Sequence, residues 1–315
     1  MKLKDTKIVV TGGAGFIGSH LTEALVGAGA CVTVVDNFST GNPDNLKSIR
    51  SKITINNLDI RDFGKIKKVL KNQDIVFHLA ANADVPKSAL EPDYDFTNNV
   101  VGTYNVIKGC LQNKVNKLIF AASAAIYGEP QYTPIDEKHP ISPLSLYGTS
   151  KVFGENLGFA YHKSFGLPFV SIRIFNNYGA RQSRFVMYDL LTKLYRNPQY
   201  LEVIGTGEQI RDYCYVTDGV RCFMLAAQSD NSVGQAFNLA SGQPTKIKDL
   251  VHKIISVTGF NSVKVTYTNQ SWKGDINTLV ADTSKTQKIL GFTPRISLDE
   301  GIDMLHRWFV GYKIR

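Results

Sequence analysis

Thr11-Gly12-Gly13-Ala14-Gly15-Phe16-Ile17-Gly18 is the stretch on which the reading of this chain turns, and it holds both a G-x-G-x-x-G and a G-x-x-G-x-x-G spacing. Glycines so placed let the backbone turn tightly and come close to a pyrophosphate, whose charge is then held by amides at the start of the next helix. Just before it, Ile8-Val9-Val10 is a short apolar run of the kind buried in a parallel sheet. Just after it, residues 19–26 predict a helix, closed by Gly27 or Gly29. A second strand over 31–35 ends at Asp36, 18 residues beyond Gly18. An acid there accepts hydrogen bonds from the adenosine ribose and repels a 2′-phosphate, which favours NAD over NADP. The glycine motif alone says little; strand, helix and acid around it give it meaning.

The bulk properties bound the alternatives. At 315 residues the chain can bury a large core and supports two lobes. No apolar run approaches the ~18 residues that a membrane span needs, and the basic start before Ile8 reads as the lead-in to a first strand, not a signal peptide. Cys31, Cys110, Cys214 and Cys222 are scattered without metal-ligand spacing and gather no histidines. They suit a reducing cytoplasm with buried thiols, and no structural metal is expected. The net charge of +9 is spread along the chain, as in Lys65-Ile66-Lys67-Lys68, which reads as one solvated helix face. With no basic stripe interleaved with aromatics, an anionic small-molecule substrate explains the charge better than nucleic acid.

Downstream the α/β alternation continues. A strand over 53–58 ends in Asp59-Ile60-Arg61-Asp62, with Asp62 placed to cap the lysine-rich helix. The next, Ile75-Val76-Phe77-His78-Leu79-Ala80-Ala81, ends in small residues that leave room for a cofactor. His78 is either an acid-base residue or a histidine satisfied at a strand end. A long helix over 92–113 precedes a strand over 117–122 that delivers Ser123-Ala124-Ala125-Ile126-Tyr127-Gly128. Strand carboxyl ends in a parallel sheet are where ligands collect, so Ser123 has the address of an active-site hydroxyl. Tyr147 and Lys151 follow, one helical turn apart on one face. A nearby ammonium favours the phenolate of a tyrosine that ordinarily titrates near ~10, which is what a general base needs. The spacing recurs at Tyr104 and Lys108, so context must decide. After a strand over 172–175, shorter elements and loops begin with Asn176-Asn177-Tyr178-Gly179 and end in a helix over 298–310.

The glycine turn, Asp36, Asp59-Ile60, Ser123 before Tyr127-Gly128, Tyr147 with Lys151, and Arg211-Asp212-Tyr213 stand in an order that resembles the extended short-chain dehydrogenase/reductases. Within them the chain is similar to the nucleotide-sugar epimerases of the UDP-galactose 4-epimerase type. The resemblance implies a Rossmann-type doubly wound parallel sheet over residues 1–175, with a smaller C-terminal α/β lobe over 176–315 that binds substrate and returns some elements to the first. It implies that Gly12, Gly15, Phe16 and Ile17 cradle the NAD pyrophosphate and that Asp36 takes the ribose. Asn37 and the Phe38-Ser39-Thr40-Gly41 turn would close round the adenosine, Asp59 and Ile60 would form the adenine pocket, and Leu79, Ala80, Ala81 and Asn99 would line the cofactor. Lys151 would hold the nicotinamide ribose and tune Tyr147. Ser123 and Tyr147 would meet the sugar, Asn176 and Arg211 its diphosphate, and Lys87 either a sugar carboxylate or solvent, with Asp275 in a late substrate loop. Helices 92–113 and 148–165 would pair two subunits into a homodimer. The implied chemistry is oxidation at C4 of a nucleotide sugar and return of the hydride to the opposite face.

Three departures from that pattern carry weight. Ala124 and Ala125 stand where dehydratases of the superfamily place an Asp-Glu pair, which argues against 4,6-dehydration; decarboxylases keep a glutamate there too. Trp272 stands where many members have an arginine, so either Lys273 substitutes or the phosphates rely on Arg211. The segment Arg181-Gln182-Ser183-Arg184-Phe185-Val186 runs almost directly into a helix, with Arg184 either a further phosphate contact or a solvated arginine.

Overall fold

The computed structural model describes residues 2–270 and 276–313. In chain order the first half reads β1 (Lys7–Thr11), α1 (Phe16–Gly27), β2 (Cys31–Asp36), β3 (Ile53–Asn57), α2 (Phe63–Val69), β4 (Ile75–His78), α3 (Val85–Leu90), α4 (Pro92–Asp95), α5 (Gly102–Gln112), β5 (Lys117–Ser123), α6 (Leu146–Phe165) and β6 (Phe169–Ile174). The second half reads β7 (Asn176–Tyr178), α7 (Val186–Arg196), β8 (Tyr200–Val203), β9 (Ile210–Tyr215), α8 (Val216–Gln228), β10 (Gln235–Leu239), β11 (Pro244–Lys246), α9 (Ile247–Thr258), β12 (Lys264–Tyr267), β13 (Thr278–Leu279), α10 (Ser284–Leu290) and α11 (Leu298–Lys313).

Seven parallel strands form the main sheet in the order β10-β6-β5-β4-β1-β2-β3. The order reverses between β1 and β4, so a crevice opens outside their carboxyl ends. Alternation along β1 supplies both faces. Ile8 and Val10 join Leu21, Leu25 and Phe223 in one core, while Val9 joins Ile66, Val106 and Phe169 in another. Each such side chain, fully buried, contributes about 1.5–3 kcal/mol, so helices pack on both sides. The last strand of this sheet, β10, comes from far along the chain, and α8 packs against α1. A third core, with Leu190, Leu194, Tyr213, Leu250 and Leu305, surrounds a small mixed sheet in which β7, β11 and β13 pair with β9.

Two boundaries differ from the sequence reading. Helix α1 starts at Phe16, not Ser19: the turn feeds the helix directly after Gly15, so glycine is a poor guide to where helix begins. The long helix over 92–113 is interrupted by a π-turn at Phe96–Val101. Of the four cysteines, Cys110, Cys214 and Cys222 are buried and Cys31 is exposed. Asp62 caps α2 by accepting from the Lys65 amide. No helix among the described residues is long and apolar enough to cross a membrane.

Candidate active site

A cavity of about 850 Å³ runs along the crevice outside the strand ends of the main sheet, beside the small mixed sheet. At its first end the backbone of the glycine turn sets the shape. Gly12 has φ 71°, and a Cβ there would lie 2.8 Å from the Ala80 nitrogen. A Cβ on Gly18 would collide with the Gly12 carbonyl. Only bare backbone therefore lets the turn, the start of α1 and the end of β4 meet. Asp36 is buried at the end of β2, and its carboxylate accepts from the Ala14 amide at 2.9 Å and the Phe38 amide at 2.8 Å. Burial pushes its pKa up, and those two amides pull it back down.

The wall contains Gly12, Gly15, Phe16, Ile17, Asp36, Asn37, Ser39, Thr40, Gly41, Ile60, Leu79, Ala80 and Ala81. Four expected residues stand outside the wall. Phe38 packs instead against the core beneath the turn, at φ 56°. Asp59 pairs with Arg61 at 2.7 Å and accepts from Asn37 at 3.0 Å; the Arg61 bond holds its pKa down at about 2. Asn99 lies one layer down, clamping the Asn82 amide and carbonyl at 2.7 and 2.9 Å. Lys87 pairs with Glu91 at 3.6 Å and lies 4.2 Å over the Tyr94 ring; the helical register of α3 turns it from the cavity that Val85 and Pro86 line.

At the centre, Ser145 caps α6 by accepting from the Gly148 amide at 3.0 Å, which places Tyr147 in the first turn. Gly148 packs so closely that a Cβ would lie 2.6 Å from the Ala125 carbonyl, bringing α6 onto the turn that carries Ser123. Tyr147 and Ser123 share the cavity wall, and the Ser123 hydroxyl favours the phenolate of Tyr147. Lys151 is buried, donates to the Ala121 carbonyl at 2.9 Å and lies 5.8 Å from the Tyr147 ring centre. Burial pulls its pKa down to about 8, with Asp95 opposing. Tyr147 does not move towards neutrality as its spacing to Lys151 leads one to expect: burial pushes it up and Asp95 adds to the rise, while Ser123 and Arg184 pull it down by less. The second spacing separates cleanly, since Lys108 lies 5.5 Å from the ring of a partly exposed Tyr104, outside the cavity wall. His78 is satisfied between Thr11 at 2.7 Å and Thr103 at 3.0 Å, and burial takes it down to about 3, so it stays neutral.

The far end is lined by Asn176, Arg211, Arg184 and Tyr213. Arg211 donates to the Ile210 carbonyl at 2.9 Å, and Asn176 to the Asp212 carbonyl at 3.5 Å. Arg184 pairs with Asp84 at 3.5 Å across the crevice. Asp275, with Trp272 and Lys273, lies outside the described residues. Sequence reasoning missed Trp308 and Tyr312 of α11 and Tyr94, which no local signal marks as wall residues. It also missed the buried Asp212 carboxylate, which gathers Ser241, Gly242 and Ala281 amides at 2.7, 2.9 and 3.2 Å. Among the described residues no cluster of three potential metal ligands occurs.

The residues fit a dinucleotide. The glycine cradle would be filled by any Cβ, and Asn177 in the cavity wall is 9% exposed with neither amide atom hydrogen-bonded. A buried amide left so is the exception in proteins and suits a polar ligand. The profile of the family described as GDP-mannose 4,6 dehydratase matches residues 9–305. The chain belongs to this family of nucleotide-sugar epimerases and dehydratases. A putative UDP-glucose 4-epimerase of Methanocaldococcus jannaschii is 35% identical over 96% of this chain and 97% of that one. Among solved structures, a UDP-N-acetylglucosamine 4-epimerase of Methanobrevibacter ruminantium, in complex with UDP-N-acetylmuramic acid, superposes with TM-score 0.92 at 34% identity, covering 98% of this chain and 99% of that one. A UDP-glucuronic acid 4-epimerase of Bacillus cereus, in complex with UDP-glucuronic acid and NAD, superposes with TM-score 0.91 at 30% identity, covering 97% and 99%.

Proposed function

We propose that the chain is an NAD-dependent isomerase that epimerises a UDP-sugar at C4 through a transient 4-keto intermediate, with UDP-glucose and UDP-galactose as the first substrates to test. The observation that carries this is the convergence of Ser123, Tyr147 and Lys151 on one cavity wall, with two alanines after Ser123. Bound NAD supplies reversible hydride exchange at the sugar carbon. Tyr147, as phenolate, takes the proton of the 4-hydroxyl and later returns it; Ser123 hydrogen-bonds the same oxygen. The Lys151 ammonium holds the ribose and favours the phenolate. Ala124 and Ala125 have no transferable proton, so the two positions where dehydratases of the superfamily place an acid and a base cannot serve elimination across C5 and C6.

Gly12, Gly15, Phe16 and Ile17 cradle the pyrophosphate in this reading, and Asp36 takes the adenosine ribose. Residues 176–315 form most of the lobe that holds the sugar nucleotide, with Asn176 and Arg211 on its diphosphate; a guanidinium meets phosphate oxygens in a fork. Phe96 and Phe153 are exposed on the two helices that would pair subunits, which supports a homodimer. Its place is the cytoplasm. The test is a panel of UDP-, dTDP- and GDP-sugars incubated with the NAD-loaded protein and read by NMR. The expected result is interconversion of C4 epimers without net NADH; accumulation of a 4-keto-6-deoxy sugar would instead make the chain a dehydratase.

A further inference from the structure

Beneath Tyr147 and Lys151 lies a carboxylate that the proposed reaction leaves without a task. Asp95 is 2% exposed, at the last residue of α4, where the chain enters the π-turn Phe96–Val101. Such single turns recur at functional sites, because the extra residue re-aims the side chains that follow. Here Asn98 faces the cavity and Asn99 lies below it. The Asp95 carboxylate accepts from the Asn82 amide group at 3.0 Å and from the Asn99 amide group at 2.9 Å. Asn99 reaches Ser150 at 3.1 Å, and Ser150 donates to the Tyr147 carbonyl at 2.9 Å. One buried acid therefore fixes the cavity wall at Asn82 and the first turn of α6 at once. A buried carboxylate is costly unless it is both hydrogen-bonded and opposed by a cation. Asp95 has two amide donors, and its charge favours the ammonium form of the buried Lys151.

We propose that Asp95 is a positioning residue for the reaction, anchoring the loop at Asn82 and the start of α6 through Asn99 while supplying the counter-charge of the buried Lys151 ammonium. It rests on the reading of Tyr147 and Lys151 as the proton-handling pair. The charges around the pair decide the direction of the effect. Facing Tyr147 are Ser123 from β5, Arg184 from the segment after β7, and Asp95. Facing Lys151 are Asp95 and His78 of β4, which stays neutral. Asp95 raises the proton affinity of both members. Its removal lowers both together, so the pH at which a phenolate and an ammonium coexist moves down, whichever of the two titrates first.

The test compares the parent with Asp95→Asn, which keeps the shape and an acceptor oxygen, and with Asp95→Ser should the first fail to fold. Asn99→Ser removes the relay and keeps the charge. In the protein without substrate, 13C NMR of labelled lysine, with the Lys151→Met spectrum identifying the signal, should show about tenfold weaker proton binding by Lys151 in the Asp95 variants. With the substrate found in the panel, the pH optimum of kcat should move to lower pH in the Asp95 variants. In Asn99→Ser kcat should fall with the optimum in place. An unmoved Lys151 titration in the Asp95 variants overturns the inference, as does an equal displacement of the optimum in Asn99→Ser. Absence of turnover in the parent would count against the proposed function, and the NMR titration would still read Asp95.

Discussion

Tyr147 and Tyr104 each precede a lysine by four residues, yet their surroundings give them different chemistry. Tyr147 is buried against Ser123 with Lys151 at its back, whereas Tyr104 is partly exposed on α5. Tyr147→Phe should retain the fold and NAD binding and lower kcat by at least about 100-fold, the lower range of general acid–base contributions. Tyr104→Phe should change kcat by less than about twofold; steady-state assays of both, with NAD titrations, check this. Lys151 supports a second prediction. Its folded pKa of about 8 lies below the ordinary lysine value, so between the two the unfolded chain binds more protons than the folded one. Stability supplied by this residue therefore rises with pH across that window. Relative to Lys151→Met, the parent should gain up to about 3 kcal/mol from pH 8 to pH 10, read from urea denaturation of both proteins. A constant gap would mean that Lys151 titrates as it does in water. Spacing alone did not separate Tyr147 and Lys151 from Tyr104 and Lys108; their place after the strand-end Ser123 did, but the outcome at Tyr147, where burial outweighs Ser123 and Arg184, depends on how much water the fold excludes.

At the scale of elements, the glycine turn and α1 show why some glycines are replaceable and others are not. A Cβ on Gly18 would run into the Gly12 carbonyl, while one on Gly27, the last residue of α1, meets nothing within 4 Å. Gly18→Ala should cost about 1–3 kcal/mol through overpacking and weaken NAD binding at least about tenfold. Gly27→Ala should be neutral or stabilise by up to about 1 kcal/mol. Thermal melts with and without NAD separate the two. The motif itself announced where the turn lies; the register of the helix after it was misread by a turn, because the first helical turn tolerates glycine when tertiary contacts hold it. The π-turn at Phe96–Val101 left no mark in the pattern, since one extra residue barely alters helical periodicity. Yet that turn separates Asn98 in the wall from Asn99 beneath it.

Over the whole molecule, the parts are tied by a buried ion pair that joins α6 to the sheet. Arg173 of β6 meets Glu155 of α6 at 2.6 Å, with both side chains almost wholly buried. The same guanidinium donates to Tyr127 at 2.9 Å, and Tyr127 to Asn238 of β10 at 2.7 Å. Arg173→Leu leaves the Glu155 carboxylate buried without its cation and should cost about 3–5 kcal/mol in urea denaturation, much of it regained in the double variant with Glu155→Leu. An additive double variant would show that the pair acts as two separate groups. Nothing in the order of residues pairs positions 155, 173 and 238. The alternation of apolar strands with helices, the glycine turn and the acid at the end of β2 announced the sheet, its direction and the shape of the crevice at the glycine turn, because these depend on local periodicity and backbone geometry. Only the tertiary structure decided that β10 completes the sheet, that Lys87, Asp59, Phe38 and Asn99 stand outside the cavity wall, and that Asp95 lies beneath Tyr147 and Lys151. Those facts depend on burial and on contacts between distant segments, which spacing along the chain does not encode.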